Sequence, residues 1–197
     1  MQSAVPFEWN LLSATTPAWV DAVLSDFPTF VIDHASCERK ASAVGMSFVV
    51  RYPDRTALLE PMIHFAREEL EHFHQVIKLM TRLGLTPLPD QEDEYVNLMM
   101  KACRTGREER FLDRLLVSSV IEARGAERLL LISEHLLEED LRNFYSRLAR
   151  AESSHKNLFV DLALKFFDAE VVKKRLDEFL VIEDQAIRSV PVRALVH

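Results

Sequence analysis

The sequence contains only four glycines and two cysteines among its 197 residues, and it has no long apolar run. The shortage of glycine argues against sandwiches, barrels and Rossmann folds, because their turns and phosphate-binding loops need this residue. Two cysteines, Cys37 and Cys103, are too few for a disulfide framework and suit the reducing cytoplasm. No apolar stretch approaches the length of about 18 residues that a membrane span requires, and residues 1–6 lack the basic region of a signal peptide. We therefore expect a cytoplasmic, mainly helical protein with no membrane segment.

Acidic residues outnumber basic ones, 31 Asp and Glu against 24 Lys and Arg, which gives a formal net charge of −7. This balance argues against indiscriminate binding to nucleic acid, but it leaves room for a local basic patch. Cations recur at every third or fourth position in one stretch, as expected for a basic ridge on a helix. Its members are Lys101, Arg104, Arg107, Arg110 and Arg114.

Proline, glycine and capping residues divide the chain into four long helices and three shorter ones. The long helices are expected at about 26–51, 55–83, 108–135 and 139–167, and the shorter ones near 17–24, 95–102 and 169–184. Gly84 is predicted to follow the second long helix, and Pro61 to mark its first turn or a kink. Residues 85–107 are expected to form a long crossover between the two hairpins.

These lengths predict an all-α ferritin-like four-helix bundle with a long crossover and extra N- and C-terminal helices. An ordinary four-helix bundle fits the lengths equally well, so the chemistry of the core must decide between them. We expect one domain over residues 1–197, with the bundle core at about 26–167.

Two Glu-x-x-His sequences occur in the long helices, Glu69 with His72 and Glu152 with His155. A spacing of three residues puts a carboxylate and an imidazole on one face of a helix, where both can hold one metal ion. Each pair interrupts a stripe of apolar residues, which indicates that it points into the core.

An overlapping match, Glu71 with His74, competes with the first pair. Its neighbours on the same helical face are charged or polar, whereas those of Glu69 and His72 are apolar. Helical periodicity therefore predicts that Glu71 and His74 face solvent.

The other two long helices each carry one glutamate, Glu38 and Glu122, on a face of small or apolar residues. In an antiparallel hairpin, two residues share a height when they are equally far from the turn. All four glutamates lie about 15 residues, or roughly 22 Å, from a predicted turn. The pairs are Glu38 with Glu69, centred on positions 53–54, and Glu122 with Glu152, centred on position 137.

Four carboxylates in a helical core would repel one another, and two divalent cations would neutralise them. Imidazole with carboxylate suits iron or manganese, and the absence of cysteine from the set argues against structural zinc. A Glu from each of two helices and a Glu-x-x-His from each of the other two is the ligand pattern of ferritin-like di-iron proteins. The predicted ligands are Glu38, Glu69, His72, Glu122, Glu152 and His155.

Three further residues lie close to these positions in the sequence. His34 shares a face with Glu38, either as a core histidine or as a group that supports this ligand. Cys37 points away from that face and is expected to pack rather than to bind metal. Tyr145 is expected to be a core tyrosine, with a radical-storing role as the less favoured reading.

The sequence segments around the predicted ligands resemble those of the bacterial tRNA 2-methylthio-N6-isopentenyladenosine hydroxylases, the MiaE family. The resemblance covers about residues 7–185, fills all six ligand positions and is carried by segments 30–42, 67–74, 121–128 and 151–157. It implies a non-haem di-iron monooxygenase that uses O2 to hydroxylate the isopentenyl group of a modified adenosine beside the anticodon in tRNA. It also implies two Fe ions as cofactor, an electron-donating reductase or ferredoxin, and no catalytic residue beyond the metal ligands. On this reading the basic ridge contacts tRNA.

Two alternatives use the same metal ligands. A ferritin-like peroxidase or iron-handling protein is disfavoured because the chain lacks a Cys-x-x-Cys iron site for electron entry. A di-iron hydroxylase of a small molecule fits the ligands equally well, and the acidic net charge mildly favours it over a tRNA enzyme.

Overall fold

The computed structural model describes residues 6–197, and within that range it contains seven helices and no strand. The prediction of an all-α chain is therefore confirmed, while residues 1–5, for which no signal peptide was expected, lie outside the described range. The helices are α1 (Pro17–Ser25), α2 (Phe27–Arg51), α3 (Thr56–Arg82), α4 (Glu94–Lys101), α5 (Arg107–His135), α6 (Glu139–Leu164) and α7 (Ala169–Ser189).

The chain divides into two compact units, with the boundary inside α1. The first contains the described residues up to Val20 together with residues 93–192 and 197, and the second contains residues 21–92 and 193–196. A single domain over 1–197 stays a prediction.

The second unit is built on the hairpin of α2 and α3. Asp26 caps α2 by accepting a hydrogen bond from the Thr29 amide at 3.3 Å. The turn at residues 52–55 coincides with the turn predicted at positions 53–54, and the Arg55 amide donates a hydrogen bond across it to the Tyr52 carbonyl at 3.0 Å. The hairpin therefore has the register that the sequence predicts.

The sequence predicts that Gly84 follows α3 and that Pro61 marks its first turn or a kink. Gly84 follows the helix with φ of 69°, and the Leu85 amide donates to the Met80 carbonyl at 2.9 Å, as expected for a glycine-terminated helix. Pro61 lies in the second turn, because α3 begins at Thr56. The prediction that it marks the first turn is wrong.

Gly45 lies where α2 passes closest to α3. A Cβ atom at this position would lie 2.9 Å from Phe65 Cδ1 and 3.1 Å from the Met62 carbonyl oxygen. The Ser42 hydroxyl donates to the Ala66 carbonyl at 2.8 Å in the same stretch. The absence of a side chain at Gly45 therefore allows α2 and α3 to pack closely, and the hydrogen bond from Ser42 joins the two helices one turn earlier in α2.

The first unit is built on the hairpin of α5 and α6, against which α4 and α7 pack. A buried ion pair joins α5 to α7, with Arg124 Nε 2.8 Å from Glu183 Oε1. Burial opposes the charge of Arg124, but the hydrogen bonds and charge of Glu183 hold the pKa of this guanidinium above its usual value. Arg124 also donates to the Ser13 carbonyl at 2.9 Å, so the same side chain holds the N-terminal segment.

A second ionic cluster surrounds the buried Asp113 of α5. Arg104 donates to Asp113 through its backbone amide at 2.8 Å and through its guanidinium, and Arg175 of α7 donates at 2.9 Å. Burial would raise the pKa of Asp113, but these hydrogen bonds hold it below its usual value. The cluster fixes the connection between α4 and α5.

Two helix ends differ by more than one residue from those predicted. α7 continues to Ser189 instead of ending at 184, and Ala186 continues its buried face beyond the predicted end. α6 ends at Leu164 instead of 167, and the next three residues form a turn. Within residues 6–197, no helix combines the length and the apolarity that crossing a membrane requires.

The two helical glycines give a matched test of this packing. We expect Gly45→Ala to lower the free energy of unfolding by about 1 kcal/mol, because steric overlap costing about 1–3 kcal/mol outweighs the gain in helix propensity. In Gly125→Ala the nearest atom to the new Cβ is 3.9 Å away, so this control should gain up to about 1 kcal/mol. Urea unfolding of both variants measures the difference, and a stabilised Gly45→Ala would contradict the close contact.

Candidate metal centre

The α2–α3 hairpin brings together three of the predicted ligands, Glu38, Glu69 and His72. All three side chains are buried, and one donor atom of each lies within 4.8 Å of the others. His72 Nδ1 is 3.6 Å from Glu69 Oε2 and 3.8 Å from Glu38 Oε2. These distances are too long for hydrogen bonds. The hairpin therefore presents two carboxylates and one imidazole around a common point.

The α5–α6 hairpin repeats this arrangement with Glu122, Glu152 and His155. One donor atom of each again lies within 4.8 Å of the others, and His155 Nδ1 is 2.9 Å from Glu152 Oε2. Glu152 and His155 are buried, and Glu122 is half-buried. Each hairpin thus carries a half-site with the same three donors.

The donor atoms of each half-site fit a divalent metal ion. Two ligands that each lie about 2.1 Å from one ion are separated by no more than about 4.2 Å, and the measured histidine–carboxylate distances fall within this limit. Two carboxylates at this separation repel each other in a buried setting, and a cation between them removes that cost. The mixed oxygen and nitrogen set suits iron or manganese.

The competing pair on α3 is exposed. The side chain of Glu71 is 59% accessible and that of His74 is 57% accessible, whereas the side chain of Glu69 is 1% accessible. The prediction that Glu71 and His74 face solvent is therefore confirmed.

His34 is a residue whose role the sequence left open. It is fully buried, stacks against Phe30, and places Nε2 2.5 Å from Glu38 Oε1, where the ring N–H can donate a hydrogen bond. Its spacing of four residues from Glu38 was the signal for this contact. His34 therefore orients Glu38, and leaves Oε2 as the oxygen that faces His72.

The other two uncertain residues have the expected surroundings. The Cys37 thiol lies 3.8 Å from Asp33 Oδ2, away from the ligand face, so it packs as predicted. Tyr145 is completely buried, as expected for a core tyrosine.

The basic series is spread over three structural settings. Lys101 ends α4, Arg104 lies in the connection that follows, and the other three occupy the first two turns of α5. Arg104 is held by Asp113 and lies 3.4 Å from Glu109. Its charge is therefore largely satisfied within the protein. A role for the series in binding tRNA stays a prediction.

Comparison with known families decides where this half-site pattern belongs. The family model described as tRNA-(MS2IO6A)-hydroxylase (MiaE) matches residues 3–197, almost the whole chain. The chain belongs to the MiaE family. Its membership confirms the resemblance that the segments around the ligands indicated, and it makes the chain an enzyme of the oxygenase class.

Two relatives within the MiaE family have the same described activity. The chain is 33% identical over 194 residues to the tRNA 2-(methylsulfanyl)-N(6)-isopentenyladenosine(37) hydroxylase of Pseudomonas putida, with 94% of each chain covered. It is 26% identical to the protein of that name from Salmonella typhimurium, with 91% of this chain and 84% of the relative covered. The similarity extends well beyond the short ligand motifs.

A solved structure supports the fold assigned to this MiaE family member. The chain is similar to a Synechococcus protein with aldehyde deformylating oxygenase activity, with a TM-score of 0.91 and 33% identity over 97% of this chain and 96% of the other. The fold is all-α and ferritin-like, as predicted, and a ligand set of buried glutamates and histidines is consistent with a di-iron site.

The choice between the two overlapping motifs on α3 has a direct test. We expect Glu69→Gln and His72→Gln to lose at least one of two irons per chain, because each removes a buried donor. The matched variants Glu71→Gln and His74→Gln change exposed side chains of the same types and should keep both irons. Metal analysis of the purified, iron-reconstituted proteins measures the difference. Loss of iron from the exposed pair alone would overturn the assignment.

Proposed function

We propose that this chain is an O2-dependent di-iron monooxygenase of tRNA. Its substrate is 2-methylthio-N6-isopentenyladenosine next to the anticodon, and its product carries a hydroxyl group on the isopentenyl chain. The observation that supports this function best is the matching pair of buried half-sites, found in a chain that belongs to the MiaE family. The names of the two relatives supply the substrate.

The proposal assigns both half-sites to one pair of iron ions. Their equal donor sets and the equal distance of their glutamates from the two turns support this assignment. The four carboxylates would offset the four positive charges of two ferrous ions, and the imidazoles would add one neutral nitrogen donor to each. When bound, the irons supply the activation of O2 that no side chain of the protein supplies. The ligands are Glu38, Glu69, His72, Glu122, Glu152 and His155.

The protein's own contribution is to hold these donors in place and keep water from them. His34 holds Glu38 in one orientation, and a hydrogen-bonded ligand loses less freedom when the metal binds. Apolar side chains surround the half-site on α3, where Phe65 and Met62 are completely buried. A buried and fixed set of donors suits an oxygenation, because excluding water favours reaction of the activated oxygen with a C–H bond of the substrate.

An anticodon loop suits this activity on physical grounds, because its bases lie outside a duplex and one can enter a cavity without the melting of base pairs. The basic series before and within α5 is proposed to contact tRNA through Lys101, Arg107, Arg110 and Arg114, with Arg104 serving mainly to hold Asp113. The enzyme would act in the cytoplasm, where tRNA is found, and would receive two electrons for each turnover from a reductase or ferredoxin.

A second function has one observation in its favour. The Synechococcus protein with 33% identity has an aldehyde deformylating oxygenase activity, which acts on a small molecule. The alternative for this chain is therefore a di-iron oxygenase of a small substrate.

The test is mass spectrometry of tRNA nucleosides from a strain that lacks this protein. We expect the unhydroxylated nucleoside to accumulate, and the hydroxylated nucleoside to return on complementation with the wild-type gene. Complementation with Glu152→Gln, which removes a buried iron ligand, should fail, while the exposed-site variant Glu71→Gln should succeed. An unchanged nucleoside profile in the deletion strain would contradict the tRNA function and favour the small-molecule alternative.

A further inference from the structure

A groove of about 360 Å³ lies in the first unit between the N-terminal segment and the α5–α6 hairpin. Its volume falls within the range of sites that bind small molecules. One wall is the segment at positions 9–14, and the other is formed by mostly small or apolar side chains of α5 and by α6. The residues that matter for its chemistry are Trp9, Asn10, Ala123, Ala126, Leu130 and Lys156.

The groove lies beside the half-site of the same unit. Ala123 and Lys156 follow the ligands Glu122 and His155 in the sequence, and their side chains point about 100° away from those ligands around the helix. Ala126 is one turn beyond Glu122, a rise of about 6 Å along the helix. A molecule that contacts Ala126 in the groove would therefore lie about one helical turn from Glu122.

Trp9 and Lys156 give the groove an aromatic face and a positive charge. The Lys156 ammonium lies 5.3 Å from the centre of the Trp9 ring, a cation–π distance. Within the part of the chain that the structure describes, the ammonium forms no ion pair, and the buried Trp9 Nε1–H has no hydrogen-bond acceptor. A buried donor without an acceptor is costly, and a ligand with a ring nitrogen or a carbonyl would remove that cost.

The charge around the groove favours an anionic ligand. Among residues 6–197, Glu127 is the one carboxylate that lines it, and it accepts hydrogen bonds from Arg124 at 2.6 Å and from the Thr15 amide at 2.7 Å. Its charge is therefore offset from within the protein. The exposed Arg150 lies one turn before Ser153, which also lines the groove, and Glu152, the one acidic residue between positions 141 and 160, is buried.

We propose that this groove binds the modified adenine of the tRNA substrate, with the base packed against the part of the Trp9 ring that lines the groove and a neighbouring phosphate on Lys156. The inference rests on the proposed function and names the part of the chain that positions the substrate. Contact with an aromatic side chain beside a cation is a common way for proteins to hold single-stranded nucleic acid. The apolar wall of Ala123, Ala126 and Leu130 suits the methylthio and isopentenyl groups, which have no polar atoms to satisfy.

The experiment uses the full-length, iron-loaded protein and an anticodon stem–loop RNA that carries 2-methylthio-N6-isopentenyladenosine, mixed without O2 so that no turnover occurs. We expect Trp9→Leu to bind this RNA about 10-fold more weakly than wild type, because the aromatic contact with the base is lost. Trp9→Phe should keep most of the affinity. Binding of the RNA should quench part of the tryptophan emission in wild type and none in Trp9→Phe, since the remaining Trp19 is buried elsewhere.

Lys156→Gln should weaken binding and lower the slope of log affinity against log salt concentration by nearly one unit, as the loss of one phosphate contact requires. The matched control is Lys174→Gln, an exposed lysine of α7 in the same unit that does not line the groove. It should leave the slope unchanged. All variants should retain two irons per chain, which excludes misfolding as the cause of weak binding.

Unchanged affinity in both Trp9→Leu and Lys156→Gln, together with unquenched Trp9 emission, would overturn the groove proposal. If wild type hydroxylates the modified nucleoside in tRNA while these variants also behave as wild type, the groove alone is wrong. If wild type neither binds the modified RNA nor hydroxylates it, the proposed function fails before the groove is tested.

Discussion

The repulsion between buried carboxylates is the constraint on which this structure depends. Each long hairpin places two glutamates and one histidine around a common point, and most of these side chains are inaccessible to water. Such an arrangement is unfavourable unless protons or cations neutralise it. A divalent ion in each half-site would neutralise the carboxylate charges without protonating the ligands. The same ions would be the cofactor that the proposed reaction needs.

The rest of the fold holds these donors at fixed positions. Gly45 lets α2 and α3 approach closely, and His34 restrains Glu38 from within the same helix. In the other unit, Arg124 and Glu183 form a buried ion pair that joins α5 to α7, and Arg124 also holds the N-terminal segment that forms one wall of the groove. Because burial makes such pairs costly to break, we infer that they fix position more than they add stability.

The features that could be predicted from the sequence are those set by local periodicity. The apolar residues at helical spacing around Glu69 distinguished this buried residue from the exposed Glu71. The positions of the two turns showed that all four glutamates lie at the same distance from a turn. The ion pair of Arg124 with Glu183 could not be predicted, because 59 positions separate the partners and neither helix pattern shows which charged residue is buried. The groove could not be predicted, because Trp9 lies in a segment without regular secondary structure, where the sequence shows no helical periodicity.

The most direct test of the central claim is the thermal unfolding of the full-length protein with and without iron(II), measured without O2 at pH 8, where carboxylates are ionised. An ion that binds only the folded protein stabilises it by about 2.7 kcal/mol when its free concentration is 100 times the Kd. We predict that the iron-free protein melts at a clearly lower temperature and that two equivalents of iron(II) per chain restore the higher one. Equal melting temperatures for the two forms would show that the buried carboxylates do not require a metal ion, and the proposed di-iron site would be wrong.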